Sequence, residues 1–224
     1  MSEGPDARVR FIEANTDWLP PPHVPEIRLR LASEIYPIWR MSEEALAESG
    51  VPPPYWAFAW AGGQAVARYL LDHPETVRGK RVLDTGSGSG LCAIAAAMSG
   101  AAEVTASDID AFALDAIRLN AAAAGVTVTP TDADMVGRDE GWDVVLIGDL
   151  FYEQPLAGRV ERWGRGLAAR GALVLAGDPG RSYVPRTGLT QLALYEVATS
   201  RELEDREVRR THVYRLEAAG GETG

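Results

Sequence analysis

From residue 80 onward, short apolar runs alternate with longer segments that carry apolar residues at helical spacing. The short runs predict strands and the longer segments predict helices. The strands are expected at 81–84, 103–107, 126–129, 142–148 and 172–176, and the helices at 91–99, 111–124 and 156–169. Gly125 stands just past the second of these helices, where a glycine commonly ends a helix. Strands that alternate with helices indicate a parallel sheet covered on both faces.

The last part of the chain follows another pattern. A helix is expected around 189–194, followed by two longer strand-like runs at 195–202 and 208–216. Because only a short link joins the two runs, they must pair antiparallel, since a parallel crossover needs about a dozen residues or more.

The first 78 residues are divided by two proline clusters, at 20–22 and 52–54. Apolar residues alternate with arginine at 27–31, which predicts a short strand between the clusters. A helix is expected from Ser42 to Gly50, and another from Gln64 to Asp72 with an apolar face.

Composition narrows the classes of function. The chain has 224 residues, 46% of them apolar, which fits one large domain or one domain with an extension. The net charge of −10 disfavours a nucleic acid as the main ligand and favours a neutral or cationic partner. The single cysteine, Cys92, excludes an internal disulfide, and three scattered histidines show no metal-ligand spacing. No apolar run reaches the roughly 18 residues of a membrane span, and residues 1–13 lack the apolar core of a signal peptide, so we expect a cytoplasmic protein without a membrane partner.

A glycine-rich turn carries the sharpest local signal. The sequence from Asp84 to Gly90, Asp-Thr-Gly-Ser-Gly-Ser-Gly, joins a predicted strand to a predicted helix. Glycines there permit a tight turn and a close approach to a ligand. The spacing differs from that of a dinucleotide site, a nucleophile elbow or a P-loop. An acid at Asp84 would repel a pyrophosphate and instead suits a ligand with an amino group.

Acids also follow the next two predicted strands. Asp108 is placed to accept hydrogen bonds from ribose hydroxyls, while Asp110 is free to cap the helix that follows. Asp132 lies where an adenine amino group would be recognised, with Asp134 as a competing candidate. An amino-acid head, a ribose and an adenine together describe S-adenosylmethionine.

These features resemble the nucleotide-binding half of a class I methyltransferase. The resemblance implies a Rossmann-like α/β fold with a seven-stranded, mostly parallel sheet whose last strand is antiparallel. The segment Gly-Asp-Leu-Phe-Tyr-Glu at 148–153 is similar to the Asp-x-Phe-Tyr motif of one group of class I protein methyltransferases. Segments 54–64 and 177–181 also resemble the electron-transfer-flavoprotein β-subunit lysine methyltransferases, whose bacterial relatives are often labelled predicted nicotinamide N-methylases. The match runs from about Phe11 to Leu216.

The resemblance implies a set of site residues, with S-adenosylmethionine as the cofactor. The residues that it places around the cofactor, together with the acids inferred above, are Trp60, Asp84, Gly86, Ser87, Gly88, Asp108, Ile109, Asp132 and Gly148. Asp149 and Tyr152 would line the acceptor site as catalytic residues. For Trp56 and Trp60, plain core packing is an alternative role.

The resemblance also implies a division of the chain. Residues 79–217 would form the S-adenosylmethionine-binding domain, residues 1–78 an extension packed on its substrate side, and residues 218–224 a flexible tail.

Three functions remain open from the sequence. The first is a protein-lysine N-methyltransferase acting on electron transfer flavoprotein β or another bacterial protein, and the second is a small-molecule N-methyltransferase with a nicotinamide-like acceptor. The third, a redox module that binds NAD, is disfavoured by Asp84 and the glycine spacing. A lysine acceptor must lose a proton before it attacks, which costs about 4 kcal/mol at neutral pH. We expect Asp149 to receive and orient the ammonium rather than to act as an obligatory base, and Phe151 and Tyr152 to supply ring faces for the aliphatic stem and the cation.

Overall fold

The computed structural model describes residues 5–33, 53–199 and 206–219. Its helices are α1 (Pro5–Asn15), α2 (Ala61–Asp72), α3 (Leu91–Met98), α4 (Ala111–Ala124) and α5 (Leu156–Ala169). Its strands are β1 (Asp17–Leu19), β2 (Leu29–Leu31), β3 (Arg81–Thr85), β4 (Glu103–Ser107), β5 (Thr129–Thr131), β6 (Val144–Gly148), β7 (Leu173–Asp178), β8 (Leu189–Ala198) and β9 (Val208–Leu216). Short 3₁₀ turns lie at Tyr55–Ala57 and Pro74–Thr76.

Seven strands form one sheet in the order β5-β4-β3-β6-β7-β9-β8. The pairs from β5 to β7 are all parallel, whereas β9 is antiparallel to both of its neighbours. The predicted sheet, mostly parallel with an antiparallel last strand, is therefore confirmed. The order reverses between β4-β3 and β6-β7, so the carboxyl ends of these strands flank the crevice where α/β sheets bind their ligands.

Apolar side chains of the central strand β6 point alternately into two buried layers. Val144 and Leu146 belong to a cluster that includes residues of α2, α3 and α4, and Val145 and Ile147 to a cluster with residues of α5. A strand buried on both faces reads as a continuous apolar run, as this one does in the sequence.

The segment before β3 packs against α4. Residues of α1 and of the Tyr55–Ala57 turn share a buried cluster with Phe112, and Arg8 pairs with Asp115 at 2.7 Å. Trp56 is 1% exposed and stacks on Phe112, with ring centroids 6.1 Å apart. Trp56 is thus a core residue, the alternative that sequence reasoning left open. The division of the chain at residue 79 stays a prediction.

Two predictions from the periodicity were wrong. The helix expected at 189–194 is instead the first half of β8, where a register shift between Gln191 and Ala193 interrupts the two-residue alternation that marks a strand. The third strand lies at Thr129–Thr131 rather than 126–129, and it tolerates Pro130 because β5 is an edge strand. The helix predicted at 42–50 lies outside the described residues, as do the end of the run at 195–202 and most of the predicted tail.

Within the described ranges, no helix is long and apolar enough to cross a membrane. In the same ranges, no group of three or more potential metal-ligating side chains comes together.

Candidate methyl-transfer site

The glycine-rich turn leaves β3 with three left-handed backbone conformations in five residues. Gly86 has a φ of +62°, Gly88 of +54° and Gly90 of +84°. A Cβ atom on Gly86 would lie 2.6 Å from a methyl carbon of Leu150, so both the conformation and the available space require glycine. The turn thereby keeps its backbone close to the end of β6.

Two aspartates at the ends of β3 and β4 flank this turn. Asp84 is 2% exposed, and its Oδ2 accepts hydrogen bonds from the Ser87 hydroxyl at 2.5 Å and the Ala93 amide at 3.1 Å. Burial raises the pKa of Asp84 to about 7. Asp108 Oδ2 accepts from the Gly88 amide at 2.8 Å, and burial also raises the pKa of Asp108. Asp110 caps α4 by accepting from the Phe112 amide, as expected, which leaves Asp108 to face the turn.

A third aspartate, Asp149, follows β6 and is held in a strained conformation. Among the described residues it is the only non-glycine with a positive φ, at 58°. The side chain of Asp149 is 8% exposed. Its Oδ2 accepts a hydrogen bond from the Gly62 amide in the first turn of α2, and its Oδ1 accepts one from Arg181 Nε at 2.7 Å. Gly62 fits there because α2 and β7 touch: a Cβ at Gly62 or at Gly177 would collide with the opposing backbone. The geometry therefore fixes where both carboxylate oxygens of Asp149 lie.

An aromatic rim borders the cleft through Trp60, whose ring centroid lies 5.9 Å from Cζ of Arg181, the partner of Asp149. We define it as Tyr55, Trp60 and Tyr152, whose ring centroids lie 6.0 Å (Tyr55–Trp60) and 6.3 Å (Tyr55–Tyr152) apart. Tyr55 is 50% exposed and Tyr152 41% exposed, so the rim faces solvent. Burial, followed by the nearby Glu153 carboxylate, raises the pKa of Tyr152 to about 12. Tyr152 is therefore neutral near pH 7 and offers a ring face and a hydroxyl, not a base. The expectation that Phe151 also supplies a ring face was wrong, because Phe151 is fully buried in the core cluster with residues of α5.

The structure brings most of the sequence-predicted cofactor residues to one cleft. The residues that line it are Phe58, Ala59, Trp60, Gly63, Asp84, Gly86, Ser87, Gly88, Ser89, Leu91, Cys92 and Gly148. Asp108 joins the cleft through its bond to Gly88, and Ile109 beside it is 79% exposed. Asp132 is exposed just past β5, whereas the competing Asp134 is engaged by Arg159 at 2.7 Å. Their roles toward a cofactor stay predictions.

Sequence reasoning missed the polar partners of Asp149. Segment 177–181 was noted only for its resemblance to a family, and no spacing in the chain links Arg181 or Gly62 to Asp149. Long-range contacts of this kind come from the neighbouring positions of β6 and β7 in the sheet, where Gly148 pairs with Gly177.

A larger cavity, of about 420 Å³, lies between α5 and the segment 136–139. It is lined by Arg138, Arg159 and Arg162, and none of the strand-end aspartates reaches it. The glycine turn and the acids thus place the candidate site in the smaller cleft.

Comparison with known proteins places this chain in a family. The chain is 41% identical over 202 residues to the electron transfer flavoprotein beta subunit lysine methyltransferase of Xenopus laevis, covering 87% of this chain and 81% of that one. It is 39% identical over 198 residues to the Danio rerio protein of the same name, covering 85% and 76%. The chain belongs to the electron transfer flavoprotein beta subunit lysine methyltransferase family. It is therefore a methyltransferase, and the predicted resemblance is confirmed.

Two further comparisons agree with this assignment. The model of the ribosomal protein L11 methyltransferase family matches residues 69–148. The fold is similar to that of magnesium protoporphyrin IX methyltransferase from Synechocystis PCC 6803, solved with bound S-adenosylmethionine (TM-score 0.51, 18% identity, 69% of this chain and 78% of that one). At that identity the likeness shows a shared class I methyltransferase fold.

The cofactor of this methyltransferase family is S-adenosylmethionine, and the residues of the cleft suit it. Gly86 and Gly88 of the turn line the cleft without side chains, and the carboxylates of Asp84 and Asp108 stand at adjacent strand ends. The cofactor carries a sulfonium and an ammonium group, so a cleft lined by carboxylates is complementary to it. Asp84 would hold the amino group and Asp108 the ribose hydroxyls.

Proposed function

We propose that this chain transfers a methyl group from S-adenosylmethionine to the Nζ atom of a protein lysine, with the β subunit of electron transfer flavoprotein as the substrate. The single observation that carries the proposal is the arrangement of Asp149 and the aromatic rim beside the cofactor cleft. It is supported by the names of relatives that align with more than four-fifths of the chain. The reaction would take place in the cytoplasm, and the net charge of −10 disfavours a nucleic acid as the acceptor.

The rim and Asp149 suit a lysine in complementary ways. Tyr55 and Tyr152 present ring faces to solvent, against which the four-carbon stem of a lysine packs. Arg181 joins Asp149 to Trp60 of the rim, and a carboxylate oxygen that already accepts one hydrogen bond has a second lone pair for another donor. We assign Asp149 to accept an N–H of the target amine and aim its lone pair at the cleft, which is the positioning part of catalysis.

When the cofactor is bound, it supplies a methyl group on a sulfonium, whose sulfur leaves readily as a neutral thioether. The amine nitrogen forms the new N–C bond while the C–S bond breaks and its electron pair stays on sulfur. The nitrogen of the product then carries a positive charge, and its extra proton leaves to water. The described residues offer no neutral-pH base at this point other than the carboxylates, since Tyr152 stays protonated.

Ribosomal protein L11 is a second candidate substrate because of the match to that family. The matched residues, 69–148, include the glycine turn and Asp108 but end before Asp149 and Arg181. The match therefore concerns the cofactor half of the site and leaves the acceptor half unmatched, which favours electron transfer flavoprotein.

The decisive experiment offers purified enzyme and labelled S-adenosylmethionine to three acceptors: electron transfer flavoprotein, ribosomal protein L11 and nicotinamide. We expect label in the flavoprotein β subunit. Label in nicotinamide alone would refute a protein substrate, and label in L11 alone would move the substrate to the second candidate.

A variant tests the acceptor residue. Asp149→Asn, which keeps a residue type that tolerates positive φ, is expected to abolish transfer while S-adenosylhomocysteine still binds. The matched control is Asp115→Asn, which alters a carboxylate that is 4% exposed and pairs with Arg8 on the α1–α4 side. Loss of cofactor affinity in Asp149→Asn would show that Asp149 belongs to the cofactor half of the site.

A further inference from the structure

A tight turn after β7 delivers an arginine to the acceptor site. Asp178, which is 1% exposed, accepts hydrogen bonds at Oδ1 from the Gly180 amide at 2.6 Å and the Arg181 amide at 2.8 Å. The turn folds the chain back toward β6, so that the Arg181 side chain lies against Asp149. Asp178 therefore fixes the backbone from which Arg181 reaches the site.

The guanidinium of Arg181 lies between the acid and the rim. Its Nε donates to Asp149 Oδ1 at 2.7 Å, and its Cζ lies 5.9 Å from the centroid of the Trp60 ring. The side chain of Arg181 is only 19% exposed and that of Asp149 8% exposed, so solvent screens this pair less than a surface ion pair. The site thus holds a cation where a substrate cation would otherwise be attracted.

We propose that Arg181 is a positioning residue that sets the charge of the acceptor site: its guanidinium neutralises Asp149, so that the target lysine binds as the neutral amine that can attack. The inference rests on the proposed function, because it concerns the protonation of the lysine acceptor. It assigns to segment 177–181 a role that the family resemblance leaves unspecified.

The physical reason is the response of an amine to a nearby charge. A free lysine side chain has a pKa of about 10.4, so it is almost wholly an ammonium at neutral pH. A lone carboxylate within hydrogen-bond distance would raise the pKa of a bound lysine by about one to three and hold it in its unreactive form. With Arg181 paired to Asp149 the two charges cancel, so the site no longer favours the ammonium form of the lysine over the neutral amine.

Other charged and titratable groups surround the Arg181–Asp149 pair, and one of them, Asp178, responds to Arg181 directly, because burial raises the pKa of Asp178 and the guanidinium counteracts part of that rise. Asp178 lies on the same turn, and His212 faces it from β9, where the two residues pair in register. The β3 and β4 ends contribute Asp84 and Asp108, and the phenol of Tyr152 is neutral near pH 7. Cys92 faces Asp149 from α3, and burial raises the pKa of its thiol. Because Arg181 acts on Asp178 as well as on Asp149, the pH profile of Arg181→Gln is also measured in an Asp178→Asn background, and a shift that persists there reports the Arg181–Asp149 pair.

The chain offers a matched ion pair as a control. Arg8 Nε pairs with Asp115 at 2.7 Å, and the side chains of Arg8 and Asp115 are 17% and 4% exposed. The pair of Arg181 and Asp149 has the same distance of 2.7 Å, with side chains that are 19% and 8% exposed. The Arg8 pair joins α1 to α4 and lies outside the cleft. Replacing Arg8 therefore removes a pair of equal distance and similar burial without changing the charge of the acceptor site, while Asp115 keeps its second partner, Arg118, at 2.7 Å.

The test compares Arg181→Gln, Arg181→Lys and Arg8→Gln with the wild type in short single-turnover assays, using electron transfer flavoprotein as the acceptor between about pH 6.5 and about pH 11.5, a range that passes the pKa of about 10.4 of a free lysine. For Arg181→Gln we expect kcat near pH 7 to fall about ten-fold or more and the acid limb of the kcat profile to move up by about one pH unit or more. KM for the flavoprotein should stay equal or fall, because the Asp149 carboxylate without its arginine partner binds the lysine ammonium well. Activity should approach that of the wild type at the alkaline end.

Two measurements separate this role from a structural one. S-adenosylhomocysteine affinity, measured by calorimetry, should stay within about two-fold in Arg181→Gln, and Arg181→Lys, which keeps the charge, should restore the acid limb. Arg8→Gln should leave the profile in place. If Arg181→Gln loses activity equally at every pH, or raises KM with the limb unmoved, the inference is wrong while the proposed function stands. A wild type that methylates neither protein substrate would overturn the proposed function and the inference together.

Discussion

Replacement of Gly86 by alanine tests whether the glycine turn is built for close approach or only for a bend. Gly86 has a φ of +62°, and an added Cβ would lie 2.6 Å from Leu150 Cδ2 and 3.2 Å from Leu150 Cγ. The substitution therefore imposes two separate costs, one on the backbone and one on packing. Both fall at the junction of the cofactor turn with the end of β6.

The expected magnitude can be divided between these costs. A non-glycine residue in the left-handed region costs about 1–2 kcal/mol. Forcing an extra methyl into filled space costs about 1–3 kcal/mol more, because the Leu150 side chain must leave its position. Gly86→Ala should thus lower the free energy of unfolding by about 2–5 kcal/mol in total.

Gly125 provides the control, since it has a similar φ of +67° and no atom within 4 Å of an added Cβ. Gly125→Ala should show only the backbone cost of about 1–2 kcal/mol. Urea denaturation of both variants gives the packing cost as a difference. Calorimetry with S-adenosylhomocysteine should show a loss of affinity of about ten-fold or more for Gly86→Ala and little change for Gly125→Ala, because a 1.4 kcal/mol distortion of the turn already gives ten-fold.

A double variant decides the cause. Leu150→Ala removes the methyl groups that an added Cβ on Gly86 would meet, so Gly86→Ala should cost about 1–3 kcal/mol less in that background. Equal stability loss in Gly86→Ala and Gly125→Ala, with no coupling to Leu150, would refute the close-approach argument and leave only a bend.

Three other predictions test the site and its support. Asp108→Asn should weaken S-adenosylhomocysteine binding by about 1.5–3 kcal/mol in calorimetry, whereas Asp110→Ala, which removes the α4 cap, should lower stability by about 1 kcal/mol and leave affinity intact. Because burial raises the pKa of Asp84 from 3.8 to about 7, the folded state holds this proton more tightly, so the free energy of unfolding should fall as pH rises through that range. Asp84 contributes at most about 1.4 kcal/mol per pH unit to this slope in urea denaturation, and Asp84→Asn should remove that contribution while leaving the one from Asp110, whose pKa burial raises to about 6. Trp56→Ala should destabilise the protein by about 3–5 kcal/mol, because Trp56 stacks on Phe112 in the core, and a loss below about 1 kcal/mol would contradict that role.

The parts of the fold that sequence predicted well are those with one dominant period. Helix α4 was predicted at its observed bounds because Asp110 and Gly125 mark its two ends. Strand β6 was found because a strand buried on both faces has no competing pattern. The edge strands were the failures, since β8 has a register shift and β5 contains Pro130, and neither is shaped by burial on two faces.

The candidate site likewise has a part that the local sequence predicted and a part that it did not. Residues that lie close in sequence, such as the glycine turn and the acid before it, were predicted from local chemistry. The environment of Asp149 was not, because its partners Gly62 and Arg181 lie 87 and 32 positions away along the chain. Only the adjacency of β6, β7 and α2 brings these donors together, and no local spacing encodes that adjacency.

The charge pattern across the sheet edge links the two halves of the site. The four central strands each present an aspartate at their carboxyl end, Asp84, Asp108, Asp149 and Asp178, and three of them are less than a tenth exposed. Such a row attracts a cationic cofactor, yet the same field would hold a lysine acceptor in its charged, unreactive state. The cofactor half of the row has only neutral amide and hydroxyl donors on its carboxylates, whereas Asp149 in the acceptor half has a guanidinium. The difference follows from the opposite requirements of the two ligands: a cofactor that must stay cationic, and an amine that must become neutral before it reacts.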